Sequence, residues 1–368
     1  MVERTVSYKE AGGRLDKYLG RYLKEAPVSF IYKMLRKKNI TLNGKKAAGT
    51  EILADGDVVR LYLSDETVVK FGGILPAGGT TPAERELTSV DETEIATDEQ
   101  TRRNLYHQAL ELSWPFPDPE VIFEDQDILI LAKPVGVLSQ GAYGEEPSIN
   151  DWILRYLIRN GSITEEDLLS FRPAVANRLD RNTSGLILAG KTLSGLQQLS
   201  KELKDRTMQK YYLTIVSGSL REPAELKGYL TKAKNHNIVQ IHEKPVPDGD
   251  AIRTAYLPVA GSENLTLLKV HLITGKSHQI RAHLASIQHP ILGDGKYGDR
   301  KVNEIYRKLG IHAQMLHSYE MVFPDGRICF APVPGSFRRV LENQELTIYN
   351  EEEMHAILEF KGIARFST

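Results

Sequence analysis

A single cysteine in 368 residues, Cys329, rules out an internal disulfide and any cysteine-based zinc cluster. It stands in the strand-like stretch RICFAPV and is expected simply to be buried. No run of eighteen apolar residues occurs. The opening MVERTVSYKEAGGR lacks the apolar core of a signal peptide, so the chain is read as cytoplasmic and without a membrane partner. A histidine metal cluster is missing too: His278, His283 and His289 are five and six residues apart, a spacing that does not share one helix face. No metal is expected, and no internal repeat is visible.

What is present is enough apolar sequence, 41%, for two or three folded units. The net charge of -1 conceals an asymmetry. Residues 1–63 carry 13 Lys+Arg against 7 Asp+Glu, whereas residues 64–120 carry 4 against 12. The first segment can meet a polyanion and the second repels one.

Residues 1–63 read as a small helix-helix-strand unit. Leu15, Leu19, Tyr22 and Leu23 recur at helical spacing, Ser29 is placed to cap a second helix with Ile31, Met34 and Leu35, and Asn43-Gly44 marks a tight hairpin turn. A strand from Val58 to Leu63 closes the unit. Residues 64–118 read as an acidic linker with one short helix from Leu105 to Leu112. Residues 119–335 turn to many strands and few helices: VIFEDQDILILAKP as a hairpin, YYLTIVSG and LTLLKVHLI as strands, Thr192 to Asp205 and Ser277 to Gln288 as helices. Without regular strand-helix alternation, the expected class is α+β with a mixed, largely antiparallel sheet. Residues 336–368 read as a charged appendage.

The stretch that carries most chemistry is Asn177-Arg178-Leu179-Asp180-Arg181-Asn182-Thr183-Ser184-Gly185, followed at once by LILAGK. A carboxylate between two arginines, on a loop with two hydroxyls and a glycine just before a buried strand, is a pre-set anionic centre. Taken alone, it reads more readily as a surface ion pair beside a turn.

The stretch resembles the RLDxxTSG signature of RluA-type RNA pseudouridine synthases. Three further segments, one before it and two after, fall in that family's order: Lys133-Pro134-Val135-Gly136, Lys210-Tyr211-Tyr212-Leu213, and TGKSHQIRAHL followed by HPILGDGKYG. The resemblance reaches the N-terminus, where GGRLDKYLGRYL and PVSFIYKMLRKKNITLNGKKA are similar to the helical RNA-binding fold shared by a small-subunit ribosomal protein and tyrosyl-tRNA synthetases. That pairing of domains is closest to the RluC and RluD branches, which resemble large-subunit ribosomal RNA modifiers.

The resemblance implies isomerisation of uridine by exchange of the N1–C1′ bond for a C5–C1′ bond, which calls for no redox group, metal or cofactor. Asp180 matches the family's catalytic residue, a carboxylate that attacks C1′ or stabilises its positive charge. It has to stay ionised, so a cation must sit beside it. Arg281, on the helix opened by Ser277, matches the arginine that pairs with that carboxylate. Tyr212 matches the tyrosine that lies against the uracil and assists proton removal, while Tyr211 faces the other side of its strand.

The target base has to be flipped out of its stack, a task in which Arg178 matches the family's arginine. Lys133, Lys276 and Lys296 are expected on the RNA backbone, as are Arg36, Lys37, Lys38, Lys45 and Lys46 from the cation surplus of the small domain. Asn177 departs from the family, which has His there. It can hydrogen-bond, and is read as a further RNA-facing residue, but it cannot carry a proton at neutral pH. Lys276, in place of the usual Arg, keeps the charge and loses the bidentate fork.

The partner is therefore structured RNA, ribosomal before transfer RNA, with DNA not expected and a monomer assumed. The rival from another class is a catalytically silent RNA-binding or ribosome-assembly factor, which Asn177 leaves open and the intact Asp180, Tyr212 and Arg281 oppose.

Overall fold

A computed structural model of the chain describes residues 1–73, 105–141, 146–169, 171–232, 238–342, 345–359 and 365–366. The small domain sets two helices, α1 (Leu15–Tyr22) and α2 (Val28–Arg36), on an antiparallel sheet of order β1-β4-β2-β3 (Val2–Thr5, Val58–Leu61, Ile40–Leu42, Lys45–Lys46). Leu15, Tyr18, Leu19 and Tyr22 form one apolar stripe of α1 and are buried with Ile31, Met34 and Leu35 of α2. The β2–β3 hairpin turns through Asn43 and Gly44, at φ 50° and 73°, the paired left-handed conformations that a two-residue hairpin requires.

Two expectations for this domain need correction. Ser29 is not a cap: α2 starts at Val28 behind Pro27, and Ser29 lies exposed in its first turn. Nor does the domain stop at residue 63. Ser64 caps a third helix, α3 (Asp65–Lys70), by accepting from the Thr67 amide, Val68 is buried in the small core, and Phe71 packs on Phe30 with ring centroids 4.4 Å apart. Residues 64–73 thus belong to the folded unit. The remainder of the acidic linker up to residue 104 lies outside the described residues, and the short helix beyond it, α4, is observed over residues 105–110.

The large domain is built on one sheet whose described strands run β11-β10-β12-β13-β9-β14-β8-β6-β5 (Val239–His242, Ala224–Lys232, Asp250–Gly261, Leu265–Leu272, Gln209–Ser217, Leu316–Val322, Ser184–Gly190, Ile128–Lys133, Glu120–Glu124). All neighbours along this path are antiparallel except β14 and β8, where His317 lies opposite Ser184 and Ser318 opposite Gly185. The expected α+β class with a mixed, largely antiparallel sheet is what forms.

The unbroken apolar run of β8 has a cause in its two covered faces. Ile187 and Ala189 join Leu129 and Leu131 beneath α5 (Ile149–Arg159), while Leu186 and Leu188 join Ile128 and Ile130 on the face that carries Leu199 of α6 (Leu193–Asp205). At about 1.5–3 kcal/mol per fully buried aliphatic side chain, these strands anchor the domain. Cys329, on β15 (Arg327–Phe330), is buried in the second of these cores.

The last stretch is no appendage. Phe337, Val340 and Leu341 of one terminal helix (Gly335–Glu342) and Met354 and Ile357 of the other (Glu351–Glu359) join the main core. Glu353 and Glu320 hold the Lys269 ammonium of β13 at 2.9 and 2.8 Å. The two domains touch through the segment after β1: Tyr8 Oη donates to Asp127 (2.7 Å), Lys9 Nζ pairs with Asp167 (2.7 Å), and the Leu193 amide donates to the Lys9 carbonyl (3.0 Å). No helix among the described residues is long and apolar enough to cross a membrane.

Candidate active site

Asp180 sits on the loop between β7 (Ala174–Val175) and β8, and both its neighbours are tied to the segment 133–139. Ser139 Oγ donates to the Leu179 carbonyl (2.8 Å) and accepts from the Leu179 amide (2.9 Å). On the other side, Lys133 Nζ and the Gly136 amide both donate to the Arg181 carbonyl, at 2.9 and 3.0 Å. The Thr183 amide closes a turn onto the Asp180 carbonyl (3.0 Å).

Lys133 therefore does not contact RNA as expected. It is 1% exposed, its remaining N–H groups go to the carbonyls of Pro134 and Val137, and burial pulls its pKa down to about 7. An ammonium has three donors, and three carbonyls use them. The glycine ending the TSG triplet has an equally local cause: Gly185, at φ 104°, lies where a Cβ would come within 2.1 Å of the Ser318 carbonyl oxygen of β14. Ser184 Oγ meets buried His317 Nδ1 at 2.8 Å, which joins the same two strands.

Arg281 arrives from α7 (Gln279–Ser286) and holds two carboxylates at once. Its Nε and Nη2 make a fork with Asp294 (2.7 and 2.8 Å), and its Nη1 donates to Asp180 Oδ2 at 2.7 Å. Asp294 is fully buried and also accepts from the amides of Lys296 and Tyr297. Although burial opposes charge on both groups, the partnership raises Arg281 above the ordinary arginine range and holds Asp294 below the ordinary carboxylate range. The Arg281 side chain is 6% exposed and that of Asp180 27%, so the carboxylate is the part left open to a substrate. Asp294 stands in the GDGKYG motif, yet its role as the anchor behind Arg281 was not foreseen.

A second residue missed by sequence reading is His278. It caps α7 from the left-handed region (φ 57°), its Nδ1 lies 3.0 Å from Tyr297 Oη, and its Nε2 lies 3.8 Å from Asp180 Oδ2. Burial lowers its pKa while the Asp180 charge opposes that shift, leaving a neutral imidazole at physiological pH. The helix also begins at Gln279 rather than Ser277, because His278 occupies the cap. The three histidines of this stretch have different partners: His283 meets Thr254 Oγ1 and His289 the Ser217 carbonyl.

Tyr212, on β9 opposite Ser318 and Val270, is 5% exposed and belongs to the main core. Burial pushes its phenol up to about 12, with the Asp180 charge adding to the shift, so it remains a protonated phenol at neutral pH. That limits it as a base in the resting site. Tyr211 stacks on His271 and carries Lys269 over its ring.

Of the residues expected on RNA, Arg178, Lys296, Arg36, Lys37, Lys38, Lys45 and Lys46 are exposed. Lys276 pairs with Asp250 at 2.6 Å, an exposed pair that RNA phosphates can compete for. Asn177 is turned inward: its Oδ1 accepts from the Leu188 amide of β8 at 2.7 Å, so it is a structural acceptor and not an RNA-facing group. A neutral histidine ring nitrogen can fill the same post.

Residues 127–286 match the family model for RNA pseudouridylate synthase. A ribosomal large subunit pseudouridine synthase C from Pasteurella multocida (strain Pm70) is 31% identical over 323 residues, covering 87% of this chain and 85% of that protein. The chain belongs to the RluA-type RNA pseudouridine synthases. A like-named Yersinia pestis protein is 31% identical over 328 residues, with 87% and 86% covered. In fold, human RNA Pseudouridylate Synthase Domain Containing 4 matches with a TM-score of 0.51 at 18% identity, covering 68% of this chain and 97% of that one. An RluA-type synthase is an isomerase that converts uridine in RNA to pseudouridine.

Proposed function

We propose that this pseudouridine synthase acts on uridines of large-subunit ribosomal RNA, with Asp180 working at ribose C1′ of a flipped-out nucleotide. The observation that carries the mechanism is the Asp180 carboxylate held by one nitrogen of Arg281, whose other two contacts anchor it to Asp294. An aimed and partly open carboxylate is what an electrophilic sugar carbon requires. Asp180 attacks or stabilises C1′ as the bond to N1 breaks. The base turns, C5 bonds to C1′, the C5 proton departs, and N1 ends protonated, so the reaction is balanced without a donor or an oxidant.

Tyr212 lies under the uracil as a neutral ring and directs its rotation. Arg178, exposed two residues before Asp180, grips the flipped nucleotide or fills the gap it leaves. Large-subunit ribosomal RNA is favoured because the relatives that match along most of the chain carry that substrate in their names.

Since isomerisation expels the C5 proton, RNA tritiated at uridine C5 should release label to water in step with turnover. Pseudouridine mapping in cells with and without the gene then assigns the target. Loss of one or more large-subunit sites is expected. Loss confined to transfer RNA would overturn the substrate, and no lost site with no tritium release would favour the silent binding factor.

A further inference from the structure

His278 faces Asp180, yet the reaction outlined above gives it no task. Its Nε2 lies 3.8 Å from Asp180 Oδ2, too far for a hydrogen bond. Its backbone is held at φ 57°, in a region that costs a non-glycine residue on the order of 1–3 kcal/mol. Although it caps α7, its side chain makes no capping bond, and the ring points instead toward the carboxylate.

The hydrogen bonds behind the ring fix which nitrogen carries the proton. The Val239 amide donates to Tyr297 Oη at 2.8 Å, and the same oxygen lies 3.0 Å from His278 Nδ1. Burial raises the Tyr297 pKa, so the phenol keeps its proton. That proton goes to Nδ1, because the reverse assignment leaves it without an acceptor among the described residues. A neutral imidazole that accepts at Nδ1 carries its hydrogen on Nε2 and offers it on the Asp180 side. Among the described residues nothing takes that hydrogen, and Nε2 is not sealed from water as the Nε2 atoms of His283 and His317 are.

Across the gap, Asp180 Oδ2 accepts from Arg281 with one lone pair and has a second to offer, while no hydrogen bond among the described residues reaches Oδ1. Two hydrogen bonds of about 2.8 Å that meet at a single oxygen span 3.8 Å with a bend. A hydroxyl fits there, since it accepts from Nε2–H and donates to Oδ2 at once. With Oδ1 at C1′, Oδ2 lies beside the adjoining sugar carbon, which in RNA bears the 2′-hydroxyl.

We propose that His278 reads the 2′-hydroxyl of the flipped uridine, donating to it from Nε2 while the hydroxyl donates to Asp180, and so selects ribose over deoxyribose. The inference rests on the placement of Asp180 at C1′ in the functional reading above. It puts the choice of RNA over DNA inside the site, apart from the basic surfaces that any polyanion meets. Deoxyribose leaves the Nε2 hydrogen and the Oδ2 lone pair facing a gap, and a site built to bond a hydroxyl rejects the sugar that lacks it.

The test uses the full-length protein and the RNA that pseudouridine mapping assigns, made with uridine or 2′-deoxyuridine at the target and tritiated there at C5. The quantity read is the ribose-over-deoxyribose ratio of single-turnover tritium release. Because loss of a 2′-hydroxyl also changes the reactivity of C1′, the ratio is compared between proteins. His278→Asn supplies a residue that tolerates the left-handed cap and sets an amide near the Nδ1 position, but it withdraws the Nε2 donor. The wild-type ratio should exceed that of His278→Asn by about tenfold or more. His278→Gln, whose amide reaches the Nε2 position, should recover part of the difference. A variant that is merely less well folded loses rate on both RNAs alike and leaves the ratio where it was. Where 2′-deoxyuridine turns over too slowly to follow, the affinities of the two RNAs supply the comparison. An equal ratio in wild type and His278→Asn would overturn the proposal and leave the gap to a bridging water. Tritium release that survives Asp180→Asn would instead overturn the placement at C1′, and the proposal with it.

Discussion

The charges around Asp180 and those on the outer face of the small domain are put to use under opposite conditions. In the first region Arg281 and Asp294 are almost closed to water and joined by two hydrogen bonds, and a third runs from Arg281 to Asp180. In the second, Arg36, Lys37, Lys38, Lys45 and Lys46 stand exposed. A pair of charges 4 Å apart interacts by roughly 1 kcal/mol in water and about 4 kcal/mol at the effective dielectric of a protein surface. Salt screens the exposed set within about 10 Å at 0.1 M and hardly touches the buried one. Buried charges can fix one atom's position, whereas exposed ones can only gather a polyanion.

Breaking the buried side should do the most damage. Arg281→Gln leaves Asp294 buried without its cation and Asp180 without its tether. We expect a loss of about a hundredfold or more in the single-turnover rate and on the order of 3 kcal/mol in stability. Arg281→Lys should recover part of the stability but less of the rate, because the fork is lost. A rate within tenfold of wild type for Arg281→Gln would separate Asp180 from its supposed support.

The next effect is on folding. His283 and His317 are both pulled by burial to about 4, against about 6.5 in an unfolded chain. Between these values the unfolded chain takes up protons that the folded one refuses, so stability falls as pH drops from 6.5 toward 4. The loss is on the order of 3 kcal/mol per histidine. Urea titrations along this range should show it, and His317→Gln should flatten the dependence. An equally steep curve for the variant would assign the loss to other groups.

Asn177→His should change the single-turnover rate by less than about tenfold, or ~1.4 kcal/mol, because both side chains can accept from the Leu188 amide. A hundredfold gain would mean that the asparagine has weakened the enzyme. Smallest at low salt, and most informative as a slope, is replacement of Arg36, Lys37 and Lys38 by Gln. Binding should weaken and its salt dependence should flatten by roughly one unit for each phosphate that is no longer neutralised, while the rate at saturating RNA stays within about twofold. An unchanged salt slope would mean that this face meets something other than RNA.

Much of both regions was legible in the sequence, for different reasons. The helices at Leu15 and Thr192, the hairpins around Asn43-Gly44 and Asp125–Asp127, and the long strands of the sheet are local matters of spacing and turn chemistry. Asp180, Tyr212 and Arg281 were singled out through motif order, and the fold pairs Asp180 with Arg281. Partnerships over long separations were hidden. No local signal says that Lys133 will spend its donors on carbonyls as far away as Arg181, or that Ser139 will clamp Leu179. Asp294 stands within a motif but reads as one more loop acidic residue until the fold brings it beside Arg281. The terminal helices show the same difficulty: Phe337, Val340 and Leu341 have helical spacing, but the flanking charge masked their part in the main core.

The proposed mechanism has Asp180 act at the sugar while other groups hold the RNA, and Asp180→Asn tests this division of labour with two readouts on one substrate. Tritium release from C5-labelled RNA under single-turnover conditions should fall by at least about a thousandfold, ~4 kcal/mol, while RNA affinity stays within a few-fold of wild type. Release above a tenth of the wild-type rate would contradict that role for Asp180, as would a loss of activity that follows entirely from weakened binding.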